Sequence, residues 1–388
     1  MKNIVRQFQF FYKSKKTLFP PKKNDLLLYD NISSEKIKIA LNNIKINILN
    51  TRGEEINIFI LLMSIIRSKG RISFQEYVNY YIKYTMSKVV ISFLDVDKKI
   101  INLKKANPKI KLIAIQVGML SRTSLINIKK NIDIFEKVFL FSDSYKHFFL
   151  TEDQKKIIVH GSLFNNLFAD NHKNSSAPTQ DIYFISQLRE FHVKDINNSI
   201  TINNRIVDSK DFYKAEEILL PFISKFCEIN KLNLHILGSF HKNIDLEINY
   251  YEKLIGNSFQ YHKKDLESFH YKIINENDFF VSIDSALGYE ALSKYKKICL
   301  FPIRGQFINQ DDRKFGWPSF FPGNGEFWAN NVDFSEFERV LNYVISVDNN
   351  KWENLILEKY NSVISYDKNN TKINKVISSL TNANIGKR

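Results

Sequence analysis

The chain has 388 residues, which favours two domains over a single hydrophobic core, and its 44% hydrophobic and 25% charged residues are typical of a globular protein. The 12 Gly and 8 Pro are too few for long disordered regions, and the longest apolar run, Ile56–Ile66, is about half of a ~20-residue transmembrane helix. The net charge of +15 has three possible explanations: lysines spread over the whole surface, attraction to an anionic membrane or a phosphorylated glycan, or binding of nucleic acid. No helix-turn-helix, zinc-finger or RNP signature supports binding of nucleic acid.

The two cysteines, Cys227 and Cys299, both lie in apolar segments without CxxC or His-rich spacing. This pattern predicts buried thiols rather than a metal site or a disulfide, as in a reducing compartment. The first residues, MKNIVRQFQFFYKSKK, are too polar for the apolar segment of a signal peptide. We therefore expect a cytoplasmic protein that does not cross a membrane.

In the first half of the chain, short apolar runs alternate with amphipathic segments, which predicts a parallel sheet built from βαβ units. We predict strands at Lys45–Thr51, Lys88–Asp95, Lys111–Gly118, Lys137–Asp143 and Lys156–Ser162. We predict helices at Glu54–Ser68, Ser73–Thr85, Lys98–Ala106 and Ser144–Leu150. The polar segment Asn165–Gln180 (NNLFADNHKNSSAPTQ) lacks this periodicity and predicts a linker.

The alternation restarts after this polar segment. We predict strands at Asp181–Gln187, Asn233–Gly238, Ser258–His262, Asp278–Ile283 and Lys297–Pro302. We predict helices at Lys210–Asn230, Asp245–Ile255, Leu266–Ile273 and Leu287–Lys294, an ordered loop at Ile303–Asn331, and closing helices at Ser335–Val347, Lys351–Ser365 and Thr371–Leu380. We therefore place an N-terminal domain at residues 1–168, a linker at 169–180, and a C-terminal domain with the terminal helices at 181–388.

The predicted fold class is α/β, with two doubly wound Rossmann-like domains that face each other across a central cleft. In such sheets a ligand binds beyond the carboxyl ends of the strands. Nucleotide-sugar epimerases and some binding proteins share this layout, so the architecture narrows the function without fixing it.

The segment Val281–Leu292 (VSIDSALGYEAL) predicts a buried strand that ends at Asp284 and turns tightly into a helix. Backbone N–H groups at the start of a helix, together with the Ser285 hydroxyl, can hold a phosphate. Glu290 could accept hydrogen bonds from a ribose or sugar hydroxyl. The alternative is structural, with Ser285 as the N-cap and Glu290 complementing the helix dipole.

This segment, with KKICLFPI and FGWPSFFPGNGEFWAN after it, resembles the donor side of bacterial surface-carbohydrate glycosyltransferases of the GT-B type, including Kdo transferases. Their Ser-x-x-Gly-Tyr-Glu-Ala run is matched by Ser285, Gly288, Tyr289, Glu290 and Ala291. FISQLR (Phe184–Arg189) resembles the opening strand of their second domain. SFLDVD (Ser92–Asp97) and IAIQVG (Ile113–Gly118) resemble strand-end motifs of their first domain, but Val96 and Val117 stand where a polar residue is expected.

Candidate acceptor-side residues end three strands of the predicted first domain. Asp95 or Asp97 could serve as a base that activates the acceptor hydroxyl, or as a nucleophile in a retaining reaction. Alternatively, Asp97 caps the following helix. Gln116, with the neighbouring glycine, would shape the next loop, and His160 is either a base, a phosphate ligand or a structural residue.

Candidate donor-side residues follow strands of the second domain. Ser186, Gln187 and Arg189 end its first strand, and Arg189 either binds phosphate through two N–H groups or pairs with Glu190. Arg304, together with Arg313, is a further candidate for a phosphate or sugar carboxylate, which would suit an acidic sugar such as Kdo. Trp317 and Trp328 either stack on a sugar or base, or pack their loop against the domain.

The resemblance implies a transferase that moves a sugar from a nucleotide donor, with CMP-Kdo favoured, to lipopolysaccharide or capsule at the inner membrane. It also implies a metal-independent reaction without a cofactor. An epimerase of the same fold and a non-catalytic carbohydrate- or nucleic-acid-binding module are the alternatives. The expected partners are the nucleotide-sugar, a glycan or lipid-linked glycan acceptor, and an anionic membrane surface bound reversibly and in a salt-sensitive manner; nucleic acid is not expected.

Overall fold

The computed structural model describes residues 12, 14–31, 34–70, 73–94, 98–168, 180–195, 197–202, 205–265 and 270–381. Two of the candidate catalytic residues, Asp95 and Asp97, lie outside these ranges, as do residues 169–179 of the predicted linker.

The first half of the chain forms a six-stranded parallel sheet with the order β3-β2-β5-β6-β7-β8, beside a separate parallel pair, β1-β4. The strands are β1 (Lys15–Thr17), β2 (Leu26–Tyr29), β3 (Asn47–Leu49), β4 (Glu55–Asn57), β5 (Val89–Phe93), β6 (Lys111–Ile115), β7 (Lys137–Leu140) and β8 (Ile157–Val159). The helices are α1 (Ser34–Ala40), α2 (Ile58–Arg67), α3 (Phe74–Thr85), α4 (Lys98–Ala106), α5 (Arg122–Lys130) and α6 (Asp143–Lys146). The central strands are almost wholly apolar because helices cover both faces of the sheet.

The second half forms a five-stranded parallel sheet with the order β13-β12-β9-β14-β15 and a separate antiparallel hairpin, β10-β11. The strands are β9 (Asp181–Ile185), β10 (Ser199–Ile202), β11 (Arg205–Asp208), β12 (Asn233–Leu237), β13 (Gln260–His262), β14 (Phe279–Ser282) and β15 (Lys297–Leu300). The helices are α7 (Glu190–Lys194), α8 (Ser209–Asn230), α9 (Ile244–Ile255), α10 (Tyr271–Glu276), α11 (Ala286–Leu292), α12 (Arg304–Ile308), α13 (Phe334–Ser346), α14 (Asn349–Leu355) and α15 (Thr371–Thr381). The strand order reverses between β9 and β14, and this reversal opens a crevice at their carboxyl ends.

The predicted α/β class with two doubly wound parallel sheets is confirmed, but several elements were missed. Strands β1 and β2, helices α1, α5 and α7, and the β10-β11 hairpin were not predicted. The residues of β4 were expected in the helix Glu54–Ser68, and those of α12 in a loop. The predicted helix Lys351–Ser365 is α-helical only as far as Leu355. It continues as a π-helix at Ile356–Tyr360 and is followed by a turn. The predicted helix Leu266–Ile273 begins outside the described residues, and α10 starts at Tyr271.

The last helix, α15, returns to the first sheet. Its Ile373 and Ile377 are fully buried in the same apolar cluster as Leu28 and Val89 of the first sheet. Asn374 Nδ2 donates a hydrogen bond to the carbonyl oxygen of Ala40 at 3.0 Å. One face of the first sheet is therefore completed by residues from the far end of the chain.

The segment that leads to α15 passes tightly against Gly161, which has φ +76° and forms a β-bridge with Tyr366. A Cβ atom at Gly161 would clash with the backbone carbonyl of Ser365. We expect Gly161→Ala to destabilise the protein by about 2 kcal/mol or more, because both the backbone conformation and the space require glycine. The matched control is Gly118→Ala, since a Cβ at Gly118 has no atom within 4 Å. Urea unfolding midpoints that fall equally for the two variants would contradict this expectation.

Candidate functional site

A cavity of about 230 Å³ lies between the two halves of the chain, at the reversal point of the second sheet. The second half contributes the residues that follow β9, β12, β13 and β14, and Val117 and Phe164 of the first half cover it. We call it the cleft cavity. Its polar lining residues are Ser186, Ser239, Lys264, His270, Tyr271, Ser285 and Glu290. Three predicted donor-side residues, Ser186, Ser285 and Glu290, therefore meet at one place.

The turn from β14 into α11 uses its polar groups locally. Ser285 is the N-cap, and its hydroxyl accepts a hydrogen bond from the backbone N–H of Leu287 at 3.3 Å. A Cβ at Gly288 would lie 2.9 Å from Ser282 Cβ, so glycine lets α11 pack closely on the sheet. Tyr289 is buried away from the cleft cavity, and its hydroxyl accepts from the N–H of Gly316 at 3.4 Å. Within this predicted motif, the structural roles of Ser285, Gly288 and Tyr289 are thus evident.

Glu290 lies in the wall of the cleft cavity with only 5% of its surface exposed. The Tyr271 hydroxyl donates a hydrogen bond to Glu290 Oε2 at 2.7 Å. Burial raises the pKa of Glu290 from its ordinary 4.5 to about 7, although hydrogen bonds and Lys294 oppose this rise. A carboxyl group that titrates near neutral pH beside a cavity is typical of functional sites.

Two basic residues of the cleft cavity, Lys264 and His270, were missed by the sequence analysis. Burial lowers the pKa of Lys264, and the nearby charge of Arg189 lowers it further. His270 Nε2 donates to the carbonyl oxygen of Gly238 at 2.7 Å, and burial lowers the pKa of this imidazole. A neutral His270 with its proton on Nε2 leaves Nδ1 as a hydrogen-bond acceptor. Lys264 lies two residues after the carboxyl end of β13, and this position near a strand end was the signal that could have identified it.

Glu247 holds the loop after β12 against the end of β9. This carboxylate is fully buried and accepts hydrogen bonds from the hydroxyls of Ser186 and Tyr261, both at 2.6 Å. It also accepts from the backbone N–H groups of Ser239 and Phe240, at 2.9 and 2.8 Å. The predicted donor-side hydroxyl of Ser186 is therefore engaged in shaping the cavity wall.

Arg304, a predicted donor-side residue, is fully buried and bonded on every side. Its Nε donates to Asp284 Oδ1 at 3.1 Å, and its Nη2 donates to Glu216 Oε1 at 2.7 Å and Gln187 Oε1 at 3.3 Å. Its Nη1 donates to Glu216 Oε2 at 3.2 Å and to the carbonyl oxygen of Phe212. All five guanidinium N–H groups are thus used inside the protein. Binding of a ligand by Arg304 would require one of these bonds to break.

Asp284 and Arg313 border a second, smaller cavity of about 50 Å³ between the halves. Burial would raise the pKa of Asp284, but the charges of Arg304 and Arg313 outweigh burial and lower it. Arg313 Nη1 donates to Asp284 Oδ2 at 3.0 Å. Trp317 lines the same cavity, and its indole N–H donates to the carbonyl oxygen of Leu120 in the first half at 3.0 Å.

Arg189 is exposed and precedes α7. The proposed pair with Glu190 is not formed, because that carboxylate contacts Lys194 at 2.5 Å and Asn243 at 2.6 Å. The effect of Arg189 on the pKa of Lys264 shows that its charge lies near the cleft cavity.

The described acceptor-side candidates are buried in the first half and do not line the cleft cavity. Gln116 Oε1 accepts from the N–H of Phe141, and Gln116 Nε2 donates to the carbonyl oxygen of Gly118, both at 2.8 Å. Burial lowers the pKa of His160 to about 4, and its Nε2 has no hydrogen-bond partner. Both side chains contact backbone at strand ends.

The indole N–H of Trp328 donates to the carbonyl oxygen of Pro322 at 3.2 Å, so this side chain packs its own loop.

Within the described ranges, no group of three or more His, Cys, Asp or Glu side chains is arranged to hold a metal ion. None of the helices described is long and apolar enough to span a bilayer. Cys227 and Cys299 are both buried as free thiols, as predicted.

Residues 121–381, well over half of the chain, match the model of a protein family described as "putative O-antigen biosynthesis protein". The chain belongs to this family. The predicted link to surface-carbohydrate biosynthesis is confirmed at this level, and the narrower resemblance to Kdo transferases stays a prediction. No curated protein matches the sequence.

Three solved structures share the fold of this O-antigen family member. The "putative UDP-N-acetylglucosamine 2-epimerase" of Listeria monocytogenes matches with a TM-score of 0.53 at 10% identity, over 95% of this chain and 99% of that one. A glycosyltransferase of Rickettsia africae matches with a TM-score of 0.52 at 10% identity, over 95% and 99%. The wall teichoic acid polymerase TagF with CDPG matches with a TM-score of 0.51 at 10% identity, over 100% and 96%. At 10% sequence identity these matches show a shared fold alone, and this fold agrees with the predicted GT-B-type arrangement.

Proposed function

We propose that this O-antigen family member transfers a sugar from a nucleotide-sugar donor to a surface-glycan acceptor, with the donor bound in the cleft cavity. The observation that carries the proposal is the position of Lys264, His270 and Glu290 together at the carboxyl ends of the second sheet. The family description and the fold shared with a glycosyltransferase and with TagF support it.

The residues of the cleft cavity suit the charges of a nucleotide-sugar. The leaving group of glycosyl transfer is a phosphate that gains negative charge, and Lys264, with Arg189 nearby, would stabilise it. Glu290 and the acceptor nitrogen of His270 would receive hydrogen bonds from ribose or sugar hydroxyls. Asp95 and Asp97 stay the predicted bases on the acceptor side.

The size of the cleft cavity implies some opening before the donor enters. Its volume of about 230 Å³ is below the roughly 300 Å³ at which small-molecule pockets usually begin. Asn165 Nδ2 bridges the halves by donating to the Glu290 carbonyl at 3.2 Å and to Ser293 Oγ at 3.0 Å. Entry of the donor would break these hydrogen bonds, and closure of the two halves around the donor would then exclude water from the reacting groups.

The proposal leaves open which nucleotide the sugar donor carries. CMP-Kdo was favoured by the family resemblance, but the two arginines that would suit its acidic sugar, Arg304 and Arg313, are paired with Asp284. UDP and CDP donors are therefore equal candidates, and the names of the structurally similar epimerase and TagF complex include a UDP-sugar and CDPG.

A nucleotide panel tests the proposal. We expect one of CMP, CDP, UDP, GDP or ADP to raise the melting temperature by roughly 5 °C at a hundredfold excess over its Kd, because it binds only the folded state. Lys264→Ala and Glu290→Ala should each reduce this shift, whereas the exposed Lys253→Ala is the matched control. If no nucleotide in the panel raises the melting temperature, the proposed nucleotide donor is contradicted. Equal shifts in all three variants would place the donor site elsewhere.

An epimerase of the same fold is the second candidate, favoured by the structural likeness to the Listeria protein and by the carboxyl and imidazole groups in one cavity. One assay distinguishes the transferase activity from the epimerase activity. Incubation with the nucleotide-sugar of the responding nucleotide, without acceptor, should leave the sugar unchanged for a transferase. Appearance of its C2 epimer by NMR would establish the epimerase instead.

A further inference from the structure

Helix α2 presents apolar side chains to solvent. Its sequence, IFILLMSIIR, buries only Ile60 and Ser64 fully. Leu62 and Ile66 are 55% and 68% exposed, and their spacing of four residues places them on one face of the helix. A helix with this composition normally hides its apolar side chains, so their exposure needs an explanation.

A neighbouring loop adds two more exposed apolar side chains. Leu18 and Phe19 are 70% and 86% exposed, directly after β1. Strand β1 pairs with β4, which leads into α2, and the Asn57 side chain donates to the Phe19 carbonyl at 2.7 Å while it caps α2. We call Leu18, Phe19, Leu62 and Ile66 the α2 surface.

The chain around the α2 surface is strongly basic. Residues 14–23 and 58–70 include no Asp or Glu. Their basic residues, all exposed, are Lys15, Lys16, Lys22, Lys23, Arg67 and Lys69. The carboxylates close by in the chain are Asp25, Glu54 and Glu55; Asp25 pairs with Lys88 at 3.0 Å, and Glu55 lies 4.0 Å from Lys15. Apolar side chains flanked by excess positive charge match the boundary between anionic lipid headgroups and acyl chains.

We propose that the α2 surface docks this protein on an anionic membrane. Leu18, Phe19, Leu62 and Ile66 enter the boundary between headgroups and acyl chains, and the lysines contact lipid phosphates. A second copy of the chain fits less well, because two such basic surfaces would repel each other at a net charge of +15 per chain.

The position of the α2 surface suits an acceptor held at a membrane. Strands of a parallel sheet end at one edge, so the chain that leaves β3 towards α2 starts from the same edge as Val117, which covers the cleft cavity. Docking at α2 would hold the first half of the chain, which contributes Val117 to the cleft cavity, at the lipid surface.

Co-sedimentation with vesicles tests the proposal, using phosphatidylglycerol-rich and pure phosphatidylcholine vesicles at low and high salt. We expect salt-sensitive binding to the anionic vesicles alone. Leu62→Gln with Ile66→Gln should weaken it at least tenfold, and Lys22→Ala with Lys23→Ala roughly fivefold for each lysine. The matched control is Ile229→Gln, because Ile229 is 67% exposed at the end of α8 in the other half. Circular dichroism melting should be unchanged in every variant, since all the replaced side chains are exposed.

Three results would overturn the proposal. They are no binding of the unaltered protein to anionic vesicles, equal binding by the Leu62 and Ile66 variant, and a dimer in light scattering that the same variant converts to monomer. Vesicle binding needs neither donor nor acceptor, so its failure would leave the transferase proposal untouched.

Discussion

Glu290→Gln is expected to stabilise the folded protein at pH 8 by about 2–3 kcal/mol more than at pH 5, while it weakens donor binding. The pKa of Glu290 is raised by burial from 4.5 to about 7. A carboxyl group with a raised folded-state pKa contributes stability below pH 4.5, and this contribution is lost as pH rises through 7. Each pKa unit corresponds to about 1.4 kcal/mol. Glutamine keeps the acceptor for the Tyr271 hydroxyl but carries no charge to bury.

Melting temperatures of both proteins between pH 5 and pH 8 would measure this effect, together with donor affinity at pH 8. Glu276→Gln is the matched control, because Glu276 is exposed in the same helix as Tyr271. A gain of stability with a loss of affinity is the pattern of a residue kept for function. Parallel pH profiles for Glu290→Gln and the unaltered protein would show that Glu290 is not buried as a titrating acid.

Arg304→Met is expected to destabilise the protein by about 3–5 kcal/mol, because it leaves Glu216 buried without a cation and Asp284 with Arg313 alone. Burial already raises the pKa of Glu216, and Arg304 is the main group that opposes this rise. Without Arg304, Glu216 should take up a proton on folding. The loss should therefore be larger at pH 8 than at pH 5.

Arg313→Ala is the control, because Arg313 also contacts Asp284 but is 27% exposed, and its removal should cost about 1 kcal/mol. Adding Glu216→Gln to Arg304→Met removes one uncompensated charge, so the double variant should be at least 1 kcal/mol more stable than the sum of the single effects predicts. Urea unfolding at both pH values would measure these differences. Strict additivity would show that the two residues do not form a coupled buried pair.

The sequence was sufficient to locate the five strands of the second sheet along the chain, because each of these apolar runs is bounded by polar residues. It was insufficient for the β10-β11 hairpin, which has little buried surface to create a pattern. Strand β2 was not predicted, although its apolar run is bounded by Asp25 and Asp30 in the same way as the runs that were. The return of α15 to the first sheet could not be predicted, because a local amphipathic pattern says which face is buried but not against what.

The candidate site was predicted in part for the same reason. Ser186, Ser285 and Glu290 follow strands of one sheet, and the rule that ligands bind at carboxyl ends brings them together. The role of Arg304 depends on Glu216, which is 88 residues away in the chain, and no spacing rule connects such a pair. His270 reaches the cleft cavity through a bond to the Gly238 carbonyl, which is a feature of tertiary structure alone.

The return of α15 to the first sheet has a consequence for synthesis on the ribosome. Leu28 and Val89 share their apolar cluster with Ile373 and Ile377, which are translated only after all the strands of the second sheet. Domains usually fold from the N-terminus as they emerge, but here the first sheet would remain incompletely covered until the whole second half had followed. A fragment ending at residue 180 would expose that face and be prone to aggregate, and a fragment of the second half that keeps α15 would in turn expose Ile373 and Ile377.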